Sequence, residues 1–341
     1  MSRGFASDNY SGVHTKVLEK IAEFNVGHVG AYGTDKYTSK AKDMIKEFLG
    51  ASDVYFVLNG TGANITCLDG LTSPYGAVIC SKIAHIFTHE SGAASKIART
   101  QLLIVDTNDG KIKTNDILPY VAFRKDYHCP KPEVISISQP TEMGAVYSLD
   151  EIKELADFAH ENGMKLHMDG ARISNAAVSL GVSIKTMTSD MGVDALSFGM
   201  SKNGIMFGES IVFFDKANRD DFDYIVKQDL QLQSKMRFTA LQYMSMIEDG
   251  LWKECASNAN DTAQYMLSKL EEISEVEIVQ KPDANIMFIK FPVHIIKELQ
   301  EFMYFYVEDE LQNYSRLVTS FDTTNGDVDL FIAKLKDLLK K

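Results

Sequence analysis

Apolar and polar residues follow two regular patterns along the chain. Between residues 53 and 214, short apolar runs alternate with segments whose apolar residues recur every three to four positions. This alternation of strands and helices predicts an α/β protein with a mainly parallel sheet covered on both faces. The predicted strands are Asp53–Leu58, Ala77–Cys80, Gln101–Val105, Glu133–Ser138, Met164–Met168, Ala195–Gly199 and Ser210–Phe214. The predicted helices in and before this region are Thr15–Phe24, Asp35–Leu49, a helix ending near Leu71, Glu90–Ala98, Lys113–Phe123 and Ser148–Asn162.

The pattern changes in the last third of the chain. Helical periodicity dominates first, with predicted helices at Phe222–Asp229, Met236–Ile247 and Trp252–Leu270. The remainder mixes predicted strands (Val276–Val279, Ile286–Phe291, Leu317–Thr319) with predicted helices (Val293–Tyr304, Asp327–Leu339). Because single cores stop growing at about 250–300 residues, we expect two domains. They are a large domain with a short N-terminal arm at 1–248 and a small α/β domain at 249–341.

Composition and charge exclude several classes of function. The net charge of −12 argues against a nucleic-acid partner, which would need a basic face. Neither a run of about 18 apolar residues nor an apolar signal region occurs, so we expect no membrane partner. The four cysteines are far apart, as in reduced cytoplasmic proteins. His85 and His89 lie four apart but lack the zinc motif H-E-x-x-H, so we expect no metal.

Two predicted strand ends carry residues that can do chemistry. Asp169 and Arg172 follow one buried strand, and Ser201 and Lys202 follow the next predicted strand. A lysine can form a Schiff base with pyridoxal 5'-phosphate (PLP), and an aspartate can keep its pyridine nitrogen protonated. Since isolated Asp or Lys residues at strand ends are common, this pairing needs support from other parts of the chain.

A glycine-rich turn supplies part of that support. Asn59–Asn64 (NGTGAN) connects a predicted strand to a predicted helix, where backbone amides and the helix dipole favour an anion. The segment lacks the Lys-Ser/Thr of a nucleotide-binding P-loop, and a short loop suits the single phosphate of PLP. A plain tight turn is the alternative interpretation.

Arginines and a histidine complete the candidate set. Arg172 and Arg316 lie at predicted strand ends, and arginine can bind a carboxylate through two parallel hydrogen bonds. A surface ion pair is the commoner fate of any one arginine. His85 enters a helical segment and could lay its ring against a cofactor ring.

Nearly the whole chain resembles the threonine aldolase and β-eliminating lyase family of PLP enzymes. The motifs that carry the resemblance are SDNYSGVH, GAYGTDKYT, NGTGAN, AHIFTHESGA, SQPTEMGAVYSLDEI, LHMDGARISNA, SFGMSKNG, QSKMRF and SRLVTSFDT. The resemblance implies an aspartate-aminotransferase-like (fold type I) protein that binds PLP. Its implied reaction is retro-aldol cleavage of L-threonine or L-allo-threonine to glycine and an aldehyde.

The resemblance also implies roles for individual residues. Lys202 should hold the cofactor, Asp169 should pair with its ring nitrogen, and His85 should stack on the ring. The implied phosphate-binding residues are Gly60, Thr61 and Gly62, and Ser201 borders the same site. Ser7, Arg172 and Arg316 should bind the substrate carboxylate, with Arg172 also close to the cofactor. The family assembles as dimers or tetramers with shared sites, and Tyr32, Lys227 and Arg237 are candidates for residues that reach a neighbouring subunit's site.

One position departs from the family pattern. Glu142 stands where other branches carry a histidine that touches the substrate hydroxyl; the segment Gln139–Glu142 resembles the low-specificity L-threonine aldolase branch. The group that accepts the hydroxyl proton therefore stays open between His85, Glu142 and a bound water. Two alternative functions also stay open: another β-eliminating amino-acid lyase, and a PLP-binding protein without catalysis.

Overall fold

The computed structural model describes residues 3–122, 125–214, 220–309 and 313–340. Within these ranges, seven strands form a larger sheet and four form a smaller one. The larger sheet contains β1 (Asp53–Val57), β2 (Gly76–Ser81), β3 (Gln101–Val105), β4 (Lys131–Ser138), β5 (Lys165–Gly170), β6 (Ala195–Phe198) and β7 (Glu209–Phe213). The smaller sheet contains β8 (Glu277–Gln280), β9 (Ile286–Lys290), β10 (Tyr306–Asp309) and β11 (Tyr314–Val318).

Helices surround both sheets. Those that precede or accompany the larger sheet are α1 (Thr15–Phe24), α2 (Lys36–Leu49), α3 (Gly60–Leu71), α4 (His85–Thr88), α5 (Ala93–Lys96), α6 (Thr114–Ala122), α7 (Leu149–Glu161), α8 (Ile173–Leu180) and α9 (Ile184–Met187). Those that follow it are α10 (Phe222–Gln228), α11 (Arg237–Glu248), α12 (Leu251–Leu270), α13 (Val293–Phe302) and α14 (Asn325–Leu338). None of the described helices has both the length and the apolar composition needed to cross a membrane.

The larger sheet has the order β1-β7-β6-β5-β4-β2-β3. Its strands pair in parallel except for β7, which is antiparallel to both β1 and β6. The predicted α/β class with a mainly parallel sheet is therefore confirmed. Because β4, β5 and β6 are parallel, their carboxyl ends meet at one edge, which is where such sheets bind ligands. β7 runs the other way, so its first residue, Glu209, lies at that same edge.

Local sequence signals explain where several helices begin. Asp35 caps α2 by accepting hydrogen bonds from the amides of Tyr37 and Thr38. At the start of α7, the predicted capping box is present, with Ser148 and Glu151 satisfying each other's backbone amides. Both helices then follow the predicted ranges to within one residue or two.

Other elements differ from the sequence prediction. The helix predicted at Glu90–Ala98 is wrong: two short helices, α4 and α5, flank a break at Ser91 and Gly92, whose φ angles are 51° and 74°. Such left-handed conformations cannot continue a right-handed helix. Helix α8 and strand β10 were not predicted. The end of the helix predicted at Lys113–Phe123 lies outside the described residues, since Phe123 falls in the gap.

The smaller sheet packs with the N-terminal arm and with α12. Phe5 is fully buried among apolar side chains of this region, and its backbone bonds to Tyr304 and Val318. Burying a phenylalanine side chain stabilises a fold by about 1.5–3 kcal/mol. The first turns of α12 contribute Leu251 and Trp252 to the core of the larger sheet, whereas its later residues pack beneath the smaller sheet. A domain boundary at residue 248 stays a prediction.

Candidate active site

A cavity of about 280 Å³ opens beside the carboxyl ends of β4, β5 and β6. The predicted site residues that line it are Gly60, Thr61, His85, Glu142, Asp169, Arg172, Ser201 and Lys202. They come from the start of α3, the start of α4, the loop after β4, the end of β5 and the turn after β6. The structure therefore brings the two predicted strand ends and the glycine-rich turn to one place.

The glycine-rich turn forms the N-terminus of α3. Asn59 caps the helix, and its Oδ1 accepts a hydrogen bond from the Gly62 amide at 2.8 Å. Gly60 and Thr61 border the cavity, while Gly62 packs against the side chain of Gln231. A Cβ at Gly62 would come within 2.2 Å of Gln231, so a side chain cannot be accommodated there without movement. The site offers an anion the first amides of α3.

Asp169 is buried at the end of β5 and held by two donors. Its Oδ2 accepts a hydrogen bond from Asn64 Nδ2 at 2.8 Å, and its Oδ1 accepts one from the amide of Ala171 at 2.9 Å. Asn64 also donates to Glu90 Oε1 at 3.0 Å, so one amide group joins two carboxyl groups. These bonds fix the orientation of the Asp169 carboxylate toward the cavity.

His85 borders the cavity with its ring orientation set by a buried carboxyl group. Its Nδ1 lies 2.7 Å from Oε1 of Glu90, whose side chain has no exposed surface. The hydrogen bond to Glu90 raises the pKa of His85, burial partly offsets this, and Asp169 raises it further. The ring is therefore held in one orientation and favours the protonated form more than a free histidine would.

Glu142 lies in the loop that follows β4. Its Oε1 accepts hydrogen bonds from the amide of His85 at 2.8 Å and from the hydroxyl of Ser138 at 2.7 Å. Burial raises the pKa of Glu142; the Ser138 hydroxyl opposes this, and Asp169 adds to it. The carboxyl group is consequently a stronger proton acceptor than one in water.

Lys202 lies in a turn of 3₁₀ helix, Ser201–Asn203, after the end of β6. Burial lowers the pKa of Lys202, and the positive charge of Arg172 lowers it further. Asp8, Asp169 and Glu209 act in the opposite direction. A lowered pKa increases the fraction of neutral amine, which is the nucleophilic form.

Arg172 follows β5 and forms an ion pair with the buried carboxylate of Asp8 of the N-terminal arm. Its Nε and Nη2 donate to Asp8 Oδ2 and Oδ1 at 2.6 and 3.0 Å. Burial alone would raise the pKa of Asp8, but the charges of Arg172 and Lys202 outweigh burial and lower it. Asn285 also donates to Asp8 at 3.2 Å, so this one carboxylate connects the two sheets.

Comparison with known proteins places this arrangement in a family. A family model described as Beta-eliminating lyase matches residues 4–293. The chain belongs to the β-eliminating lyase family. It is 37% identical to a low specificity L-threonine aldolase from a Pseudomonas species, over 99% of this chain and 98% of that one. It is 39% identical to the low specificity L-threonine aldolase of Pseudomonas aeruginosa, over 87% of this chain and 86% of that one.

A solved structure of threonine aldolase from Leishmania major has the same fold. The two superpose with a TM-score of 0.94 and 27% sequence identity, covering 99% of both chains. The predicted fold type I class and the predicted family are therefore confirmed. The β-eliminating lyase fold explains why the cavity lies at the carboxyl ends of the parallel strands.

Arg316 and Ser7, both predicted to bind a substrate carboxylate in this β-eliminating lyase, do not line the cavity. Arg316 Nη1 pairs with Glu308 at 2.9 Å, and Nη2 donates to the carbonyl of Ala6 at 3.1 Å. Its Nε is buried and is among the side-chain atoms of the described residues that have no hydrogen-bond partner. Ser7 Oγ accepts a hydrogen bond from the Asn9 amide at 3.2 Å, so it caps the turn that carries Asp8.

Tyr32, Lys227 and Arg237 lie away from the cavity, on the outside of the chain. Lys227 Nζ is 5.6 Å from the centroid of the Tyr32 ring, and Tyr32 is 54% exposed. Arg237 Nη1 lies 3.4 Å from the carbonyl of Val26. Within one subunit these three side chains therefore do not meet the predicted substrate site.

Four residues at or behind the cavity were missed by sequence reasoning: Asp8, Asn64, Glu90 and Glu209. Asn64 and Glu90 stand within the recognised motifs NGTGAN and AHIFTHESGA, so a signal for them was present. Asp8 stands in SDNYSGVH beside the predicted Ser7. Glu209 stands in no quoted motif, and only the antiparallel direction of β7 brings it to this edge.

Proposed function

We propose that the protein is a PLP-dependent carbon–carbon lyase that cleaves L-threonine and L-allo-threonine to glycine and acetaldehyde. The observation that carries the proposal is that Lys202, Asp169 and the N-terminus of α3 line the same cavity. The two Pseudomonas relatives, both named low specificity L-threonine aldolase, support this substrate class.

The residues around the cavity fit PLP. A Cβ built on Gly60 meets no atom within 4 Å, so open space adjoins the first amide of α3, where a phosphate would bind with Thr61, Ser201 and the neighbouring Gly62. Lys202 would hold the cofactor covalently, with His85 against its ring and Arg172 near its edge. Asp169 would face the ring nitrogen. When bound, the cofactor supplies an electron sink for the electrons of the broken Cα–Cβ bond.

Cleavage requires a group that takes the proton of the substrate's β-hydroxyl. We propose Glu142 for this role, with His85 and a bound water as the alternatives. Its raised pKa supports the assignment, because a solvated carboxylate with a pKa of about 4.3 is a weak base at neutral pH. His85 suits a positively charged, orienting role better, since its pKa is raised by Glu90.

The substrate's carboxylate needs cationic partners near the same cavity. We assign it to Arg172, whose Nη1 is not used in the bonds to Asp8, and to Arg316, which lies close enough to Arg172 and Asp8 for their charges to act on its pKa. Ser7 is proposed to support the arm beside them. Charge-assisted bonds to a carboxylate are about twice as strong as neutral ones, which favours arginine in this role.

We further propose that active sites are shared in a homodimer or homotetramer. Tyr32, Lys227 and Arg237 lie outside the cavity of their own chain, so they can serve a substrate site only in a neighbouring subunit. A cytoplasmic location also stays a prediction; the structure has all four cysteines as free thiols, which agrees with it.

The test is incubation of the purified protein and PLP with L-threonine, with acetaldehyde measured through alcohol dehydrogenase and NADH. We expect equal amounts of glycine and acetaldehyde, and complete loss of both in Lys202→Ala. Lys185→Ala, which removes a surface lysine paired with Asp190, is the matched control and should stay active.

Other outcomes would assign another function. Release of ammonia and a keto acid in place of glycine would indicate a different β-eliminating lyase. Bound cofactor without conversion of any β-hydroxy amino acid would indicate a non-catalytic PLP-binding protein.

A further inference from the structure

Glu209 is a carboxyl group in the cavity to which the proposed reaction gives no role. It is 6% exposed and lines the same space as Lys202. As the first residue of β7, Glu209 lies between the ends of β1 and β6. On one side it pairs with Val57, the last residue of β1, and on the other side β6 ends at Phe198. It therefore stands between the loop that leads to α3 and the turn that carries Lys202.

The hydrogen bonds of Glu209 reach the backbone of the lysine turn. Its Oε2 accepts the amide of Met200 at 2.8 Å, immediately before the 3₁₀ turn Ser201–Asn203. The hydroxyl of Tyr243, from α11, donates to the carbonyl of Phe198 at 2.5 Å and lies 3.4 Å from the same Oε2. The carboxyl group of Glu209 thus joins the lysine turn to α11, and Tyr243 of α11 in turn bonds the end of β6.

We propose that Glu209 is a positioning residue that fixes Lys202 for covalent attachment of the cofactor by anchoring the turn through the Met200 amide, and that its negative charge in the cavity stabilises the protonated nitrogen of Lys202. The inference rests on the proposed role of Lys202. It assigns Glu209 no contact with the substrate.

The charges around the two groups agree with this proposal. Burial raises the pKa of Glu209 to about 7, against hydrogen bonds from Ser201 and Met200 and the charge of Lys202, so its negative charge is fully present only above neutral pH. Lys202 in turn is surrounded by Arg172 after β5, Asp8 on the arm, Asp169 on β5 and Glu209 on β7. Removing the negative charge of Glu209 favours the uncharged form of the nitrogen of Lys202, so titration of that nitrogen moves to lower pH.

Two substitutions separate charge from reach. Glu209→Gln keeps the length of the side chain and an oxygen for the Met200 amide but removes the charge. Glu209→Asp keeps the charge but shortens the side chain by one methylene group. Glu133→Gln is the matched control, because Glu133 also accepts a backbone amide, that of Ser73 at 2.7 Å, but does not line the cavity.

The first measurement is the pH titration of the visible absorbance of holoenzyme. The second is the rate at which PLP attaches to apoprotein, followed by borohydride trapping at Lys202. We expect Glu209→Gln to lower the titration midpoint by roughly one pH unit. We expect Glu209→Asp to leave the midpoint near that of the natural protein but to slow attachment roughly tenfold, as loss of one charge-assisted hydrogen bond would.

Midpoints and attachment rates equal to those of Glu133→Gln in both variants would overturn the proposal. A natural protein in which borohydride traps no cofactor at Lys202 would overturn the proposed function as well. A normal adduct in the natural protein with unchanged Glu209 variants would overturn the role of Glu209 alone.

Discussion

Asp169 and Lys202 reach the cavity from the ends of adjacent parallel strands, whereas Asp8 and Arg316 come from the N-terminal arm and the smaller sheet. The first pair is placed by the ladder between β5 and β6, in which Asp169 is paired with Ser197. The second pair depends on contacts such as that of Arg316 with Ala6, 310 residues apart in the chain. The part of the site formed by Asp169 and Lys202, here called the strand-end side, is therefore positioned by the sheet itself. The part formed by Asp8 and Arg316, the arm side, forms only when two distant segments of the chain meet.

This difference teaches that the two sides can be disturbed separately. Chemistry at the bond to be broken is assigned to the strand-end side, and recognition of the substrate carboxylate to the arm side and Arg172. Substitutions on the first side should lower kcat, and those on the second should raise KM or reduce stability.

Among variants that keep Lys202, the largest effect is expected for Glu142→Gln, near the strand-end side. Losing a general base typically slows a reaction by about 100-fold or more, so kcat for L-threonine should fall by that factor. Because glycine has no β-hydroxyl, exchange of its α-proton with deuterium, measured by NMR, should continue nearly unchanged.

The pH profile gives a second check on the same residue. Since burial raises the pKa of Glu142, kcat/KM in the natural protein should begin to fall, on acidification, above the ordinary value of about 4.3. Unchanged threonine cleavage in Glu142→Gln would move the role of base to a water or to His85.

An intermediate effect is expected for Arg316→Ala on the arm side. Removing a charge-assisted contact costs about 1.5–3 kcal/mol, or roughly 10–200-fold, so KM for L-threonine should rise while the affinity for PLP stays the same. Arg316→Lys should rescue only part of this loss, because lysine lacks the guanidinium geometry.

Arg172→Ala provides the contrast within the same assay. Its loss leaves the buried carboxylate of Asp8 without its ion pair. We therefore expect a lower affinity for PLP and a higher KM for L-threonine. Small and equal effects in the two arginine variants would break the division between the two sides.

The smallest effect is expected for Asp8→Asn, and it concerns stability. The pKa of Asp8 is lowered in the folded chain, so its charge stabilises the fold above the unfolded value of about 3.9 and less as the pH falls below it. Urea unfolding at pH 7 should show that the free energy of unfolding falls by about 1–3 kcal/mol, and this loss should shrink below pH 4.

The exposed carboxylate of Asp157 offers the control: Asp157→Asn should change stability by at most about 0.5 kcal/mol. Equal loss at pH 7 and pH 3 would mean that the charge of Asp8 does not stabilise the fold.

The strand-end side could be predicted from sequence because its determinants are local. Apolar runs mark β5 and β6, and parallel strands place the residues that follow them at one edge, so Asp169 and Lys202 could be paired without a structure. The cap of α7 was predicted for the same reason: Ser148 and Glu151 are three residues apart, and both signals stand in the sequence.

The other residues of the site depend on contacts between distant parts of the chain, which the periodicity of apolar residues does not predict. Glu90 meets His85 because the chain leaves the short helix α4 after Thr88, whereas the sequence pattern predicted one helix from Glu90 to Ala98. Asp8 pairs with Arg172 across 164 residues, through the packing of Phe5 against the smaller sheet. The position of Glu209 beside the cavity could not be predicted without knowing that β7 runs antiparallel to its neighbours.

Helix α12 has a consequence for the size of substrate that the cavity can accept. It runs without interruption for 20 residues, or about 30 Å, and buries its two ends in different apolar cores. The helix therefore fixes the distance between the two sheets. If the smaller sheet, which carries Arg316, moved away from β5 and β6, one end of the helix would have to leave its apolar core. Room for a bulkier β-substituent must then come from rotamers and edge loops, so selectivity among β-hydroxy amino acids would be tuned by individual side chains rather than by opening and closing of the whole molecule.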